Sequence, residues 1–197
     1  MRGAGLLLAL ALATVVAGGA GAQAPRPGQA PKQNPSEAPG QVWVNDRPPF
    51  TLAVPPGFTP NPRYRYTRLA SGKAIEGVAF TIPKSMTEGT NLAADSYVSV
   101  EWRDGQRCTL ADFLDGATEE APLNENGVRW IVGASGDGAA GNLYEETVHL
   151  RGCDAVRSFV HSTNIANYPP GTIRAYDRVT LATLYGSVRR SLKWGRR

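Results

Sequence analysis

Between Val128 and Ser162 the chain alternates apolar and polar residues three times in succession. Val128 to Ala134, Leu143 to Leu150 and Ala155 to Ser162 each carry the period of two that sends successive side chains to opposite faces of a strand. A glycine-rich turn and the turn Arg151-Gly152-Cys153-Asp154 join them. Connections that short force neighbouring strands to run antiparallel, so the segment predicts a meander. Phe50 to Val54 alternates too and stops at Pro55-Pro56-Gly57. Tyr64 to Leu69 offers a second short strand. Ala74 to Pro83 places Val78, Phe80 and Ile82 on one face, and Tyr97 to Trp102 adds another alternating run.

Two segments carry a helical period instead. Thr109 and Asp112 have capping-box spacing, and Leu110, Phe113, Leu114 and Ala117 follow at i, i+3, i+4 and i+7. Near the C-terminus, Leu181, Leu184, Tyr185, Val188 and Leu192 form an apolar stripe. Arg189, Arg190 and Lys193 gather at its end, where cations offset the helix dipole. The expected fold class is therefore α+β: an antiparallel meander sheet, a short middle helix, and a C-terminal amphipathic helix packed on the sheet.

The first residues read as an export signal. Arg2 gives a positive start, Leu6 to Ala17 is an uninterrupted apolar run, and small residues follow through Ala22. The run is shorter than the roughly 20 residues a membrane span needs. Cleavage after Ala22 is expected, because a cut after Ala24 would place Pro25 beside the scissile bond. Residues 1–22 are then a signal peptide that leaves no stable membrane anchor. Residues 23–40, polar and studded with prolines, form a disordered tether. Residues 41–197 form a single domain, long enough to enclose a core. The net charge of +4 is too dilute for a nucleic-acid surface, and export makes nucleic acid an unsuitable partner.

Cys108 and Cys153 are the only cysteines. Neither has a Cys or His neighbour at ligand spacing, so they predict a structural disulfide suited to an oxidising compartment. It closes a loop of about 45 residues, worth about 4 kcal/mol in the chain-entropy account. A metal pair and a redox pair are the rival readings.

The motifs with possible chemistry are weak. Gly136, Gly138 and Gly141 match G-x-G-x-x-G, but the residues after them alternate as a strand. A hairpin is expected there, with no nucleotide and no cofactor. Gly133-Ala-Ser135 resembles the start of a hydrolase elbow, yet Asp137 stands where the second glycine belongs, so Ser135 reads as a turn residue. His149 and His161 fall within strands and lack metal-ligand spacing, so no metal site is expected. Glu145, Thr147 and His149 share one strand face, with Glu146 on the other. That arrangement suits either an exposed polar face or a small acid–base cluster.

The loop from Asn164 to Gly171 is the strongest binding candidate. Asn164, Asn167 and Tyr168 offer polar and aromatic contacts, and Pro169 and Pro170 stiffen it. Arg174 and Arg178 lie four residues apart, so a helix beginning near Arg174 would set both on one face, ready for a carboxylate or phosphate. The bland alternative is a plain connection with Asp177 capping the last helix.

Several of these pieces together resemble the PsbP/Mog1-like group of small α+β domains. They are the strand and turn Phe50-Thr-Leu-Ala-Val-Pro-Pro-Gly57, the segment Gly77 to Ile82, the meander, and the terminal Leu184 to Leu192. The resemblance implies a role in binding other proteins and supplies no catalytic signature. The functional expectation is a periplasmic or secreted accessory protein that binds an envelope protein or a small polar or anionic ligand. A small secreted hydrolase using a polar cluster on the meander is the alternative, and a purely structural surface protein the second alternative.

Overall fold

Alternation dictates most of the architecture. In the computed structural model, residues 40–119 and 122–195 are described. The expected signal peptide and the tether up to residue 39 lie outside them. Eleven strands occur among the described residues: β1 (Gln41–Asp46), β2 (Pro49–Val54), β3 (Thr59–Tyr66), β4 (Ile75–Thr81), β5 (Tyr97–Trp102), β6 (Thr118–Glu119), β7 (Leu123–Glu125), β8 (Val128–Ala139), β9 (Asn142–Arg151), β10 (Asp154–Thr163) and β11 (Lys193–Trp194). Helix α1 (Arg178–Ser191) precedes the last of them. β1, β2 and β11 make a three-stranded antiparallel sheet. The larger sheet runs β3-β4-β5-β10-β9-β8-β6, and β7 pairs with another stretch of β8.

The meander forms as expected, with longer strands. Ala140 and Gly141, both at positive φ, make the two-residue turn between β8 and β9. That turn suits the twist of paired strands. The glycine run is thus a hairpin. Ser135 is not a turn residue: it lies within β8, opposite Glu146.

The α+β expectation needs correction. The fold is mostly β, in two antiparallel sheets, and α1 is the only α-helix among the described residues. The middle helix is reduced to a single 3-10 turn, Leu110–Asp112. The Asp112 carboxylate does accept from the Thr109 backbone N–H and hydroxyl, as capping spacing predicts. The helix still does not propagate, because its carbonyls are taken. Arg103 donates to the Asp112 carbonyl at 2.7 Å and Arg157 to the Phe113 carbonyl at 2.5 Å. Those oxygens would otherwise accept from N–H groups four residues on, and Gly116 turns away at φ +60°.

Each face of the large sheet buries a core. On one face, α1 and the three-stranded sheet cover Val78, Phe80, Val98, Val100, Val132 and Val156 with Leu52, Leu181, Tyr185 and Val188. On the other, the segment holding Leu110, Phe113 and Leu114 covers Ile75, Val148, Leu150 and Ala155. The Cys108–Cys153 disulfide, with Cα atoms 5.0 Å apart, ties that segment to the β9–β10 turn. Beside this second core lies a buried charge network. Arg157, fully buried, donates to both Glu101 carboxylate oxygens at 2.7 and 2.9 Å and also to Glu146. Its guanidinium sits 3.5 Å above the Tyr66 ring.

Candidate functional site

The first core does not fill the space between α1 and the sheet. Asp177 caps α1, accepting from the Thr180 N–H at 2.9 Å and the Thr180 hydroxyl at 2.7 Å. From there Arg178, Leu181, Ala182, Tyr185, Gly186 and Arg189 recur every three or four residues along one side of the helix. Below them Glu145, Thr147 and His149 point up from β9, at the period of a strand. Ser158 and Val160 do so from β10. Together with Tyr176 these residues line a cleft of about 340 Å³, within the range of small-molecule sites. Thr147 and Ser158 are register partners on the floor, so their hydroxyls stand side by side.

Ion pairs hold both ends. At the outer end Glu145 accepts from Arg178 at 3.0 Å and from the Tyr176 hydroxyl at 3.2 Å. Burial, and then the Glu145 charge, push Tyr176 up to about 12, so it stays a donor at neutral pH. At the inner end Arg189 grips Glu125 with two bonds, 2.8 and 3.1 Å, and donates to His149 Nε2 at 2.6 Å. The Arg189 hydrogen bonds hold the Glu125 carboxyl below its ordinary range.

His149 is 7 % exposed. Burial, and then the Arg189 cation, lower it to about 4. It is neutral at pH 7, and its Nε2 lone pair is occupied by Arg189. The ring proton then belongs to Nδ1, which is buried without a hydrogen-bond partner. A histidine in that state is a poor proton acceptor at neutral pH.

The loop residues singled out from sequence have mixed fates. Only Arg178 reaches the cleft. The helix begins at Arg178 rather than near Arg174, since Asp177 caps it. Arg174 therefore lies outside α1, with its backbone bonded to Gly89 and Asn91. Its side chain lines a separate crevice with Met86, Thr90 and Thr180. Asn164 accepts from the Ala166 N–H and starts a 3-10 turn that ends at Asn167. The turn docks on the β8–β9 hairpin through a bond from the Asn164 N–H to the Gly141 carbonyl. Tyr168 is 38 % exposed and accepts from the Thr163 hydroxyl at 3.1 Å.

His161 lies on the opposite face of the large sheet, stacked on Tyr144. Its Nδ1 is 2.7 Å from Asp95 and its Nε2 is 3.0 Å from Asn142. Both nitrogens are therefore engaged. Among the described residues no group of three or more His, Cys, Asp or Glu is placed to hold a metal. Glu125, Tyr176, Ser158 and Arg189 escaped the sequence reading as site residues. The Asn126-Gly127 pair, a strong hairpin signal, would have revealed the β7–β8 turn that carries Glu125 to Arg189.

No protein-family model matches this chain, and no curated protein matches it significantly.

Proposed function

We propose that this protein is exported, to the periplasm or beyond, and binds a small polar ligand in the cleft between α1 and strands β9 and β10 without transforming it. The observation that carries the reading is the cleft itself, with a defined volume, a little-exposed Arg189–Glu125 pair locked at one end and an exposed Arg178–Glu145 pair at the other. Locked groups cost little further entropy when a ligand arrives. The disulfide suits an oxidising compartment. No helix among the described residues is long and apolar enough to cross a membrane.

A test uses thermal unfolding against a panel of small metabolites, with wild type and Ala182→Trp side by side. Ala182 is an exposed α1 residue on the cleft wall, so an indole there fills the space without disturbing the core. A ligand at about 100 times its Kd stabilises by about 2.7 kcal/mol. For a domain of this size that raises Tm by about 5–10 °C. The variant should show no such rise. Equal rises in both proteins would contradict the proposal.

A protein partner is the second reading, favoured by β1. Among the described residues this strand pairs on one side only, and Val42 and Val44 are 65 % and 64 % exposed. It carries no proline or bulge, whereas the edge strand β3 has Pro60, Pro62 and a register shift. A partner strand adding to β1 would be lost in Val44→Lys and kept in Ala182→Trp.

A further inference from the structure

The chemistry of the ligand follows from how the cleft's charges are matched. Each cation in it already has its carboxylate. Arg178 is paired with Glu145, and Arg189 with Glu125. The remaining titratable groups facing the space are His149, neutral at pH 7, and the phenols Tyr176 and Tyr185. A charged ligand that displaced Arg189 from Glu125 would break two hydrogen bonds in a pair only 13 % and 17 % exposed, which is costly; the Arg178–Glu145 pair is exposed and sets no such barrier. A neutral ligand leaves both pairs intact.

The paired groups nevertheless keep hydrogen-bonding capacity. Arg189 uses three of its five donors on Glu125 and His149, leaving two. Glu145 accepts two bonds from protein groups, and a carboxylate can take about four. The outer end thus presents donors and an acceptor side by side, the arrangement that neighbouring hydroxyls on one molecule satisfy, and the inner end presents the Arg189 donors. The Thr147 and Ser158 hydroxyls repeat that offer on the floor. Between them the walls are apolar, from Val160, Leu181, Ala182 and the Tyr185 ring. They suit the C–H faces of a ring.

Length agrees as well. Glu145 and His149 are four strand residues apart, about 13 Å, and Arg178 and Arg189 are eleven helix residues apart, about 16 Å. We infer that the cleft's ligand is a neutral, hydroxyl-rich molecule, a sugar of one or two rings, held by Glu145 and Arg178 at one end, by Arg189 at the other and by Thr147 and Ser158 at its middle. The inference rests on the cleft being the binding site.

The test measures affinity by titration calorimetry and ligand-observed NMR for a panel of neutral mono- and disaccharides. Each is paired with its uronate and its amino-sugar counterpart, and every compound is run against wild type and Ala182→Trp. The expected result is a neutral sugar that binds at least tenfold tighter than either charged counterpart and at least tenfold weaker in Ala182→Trp. Glu145→Gln should also weaken it, since a carboxylate acceptor is lost. A charged counterpart that binds as tightly, and is lost in Ala182→Trp, would overturn the neutral-ligand inference and leave the cleft standing. So would a panel in which no sugar binds while another small molecule occupies the cleft. If no compound of any class is sensitive to Ala182→Trp, both the inference and the cleft fall.

Discussion

Replacing Arg157 by Met removes the cation on which the buried charge network depends. Arg157 and Glu101 are both fully buried. Glu101 would lose two charge-assisted bonds and keep only the Tyr64 and Ser99 hydroxyls. Glu146 would keep the Tyr66 hydroxyl and a distant Arg68, 4.0 Å away. The Phe113 carbonyl would lose its Arg157 donor. Removing one member of a buried ion pair costs about 3–5 kcal/mol, because the partner charge stays buried and unpaired. An orphaned carbonyl adds about 1–3 kcal/mol. About 5 kcal/mol is therefore expected, or about 10–20 °C in Tm for a domain of this size. Urea unfolding followed by tryptophan fluorescence gives the number. The triple variant Arg157→Met/Glu101→Gln/Glu146→Gln carries no unpaired charge and should regain at least half of the loss. A single variant within about 1 kcal/mol of wild type, or a triple variant no better than the single, would refute this account of the network.

Three further outcomes follow from other parts of the molecule. Cys108→Ser/Cys153→Ser should lose about 4 kcal/mol, since the crosslink spans 45 residues; urea unfolding checks it, and a loss under about 1 kcal/mol would contradict a structural role. His149 has a folded value of about 4 against an ordinary 6.5, so the proton favours the unfolded chain. Its contribution of about 3 kcal/mol is complete above about pH 6.5 and is lost as pH falls towards 4; unfolding at stepped pH should show a shallower slope in His149→Gln, and an unchanged slope would sink the assignment. Gly141→Val should destabilise the hairpin, because Gly141 has φ +83° and a Cβ there would collide with the Asn167 side chain; hydrogen exchange at β8 and β9 should rise, and unchanged exchange would count against that packing.

Legibility tracked the range of the interactions involved. The meander was readable because its pattern and turns are local: Val128, Val132, Val148 and Val156 alternate as strands must, and the glycine turns fix their pairing. The C-terminal helix was readable from Leu181, Tyr185 and Val188, and the disulfide from the absence of any other partner for Cys108 and Cys153. The middle helix failed because Arg103 and Arg157, distant in sequence, take the carbonyls of Asp112 and Phe113. No local rule sees that competition. β1 was missed because Val42 and Val44 stay exposed while Trp43 packs against Phe80, which leaves little apolar pattern to find. In the cleft, the shared face of Glu145, Thr147 and His149 was legible from period two. Its other wall depended on where Asp177 caps α1. One turn of displacement separates the expected pairing of Arg174 with Arg178 from the observed pairing of Arg178 with Glu145.

A two-dimensional NMR titration with whichever panel compound raises Tm locates the ligand on the molecule. Shifts are expected at Glu145, Thr147, His149, Ser158, Ala182 and Gly186, saturating together. Residues 164–171 and the opposite sheet face around Tyr144 and His161 should stay still. Saturating shifts confined to that loop or to that face, with the α1 cleft unmoved, would contradict binding in the cleft.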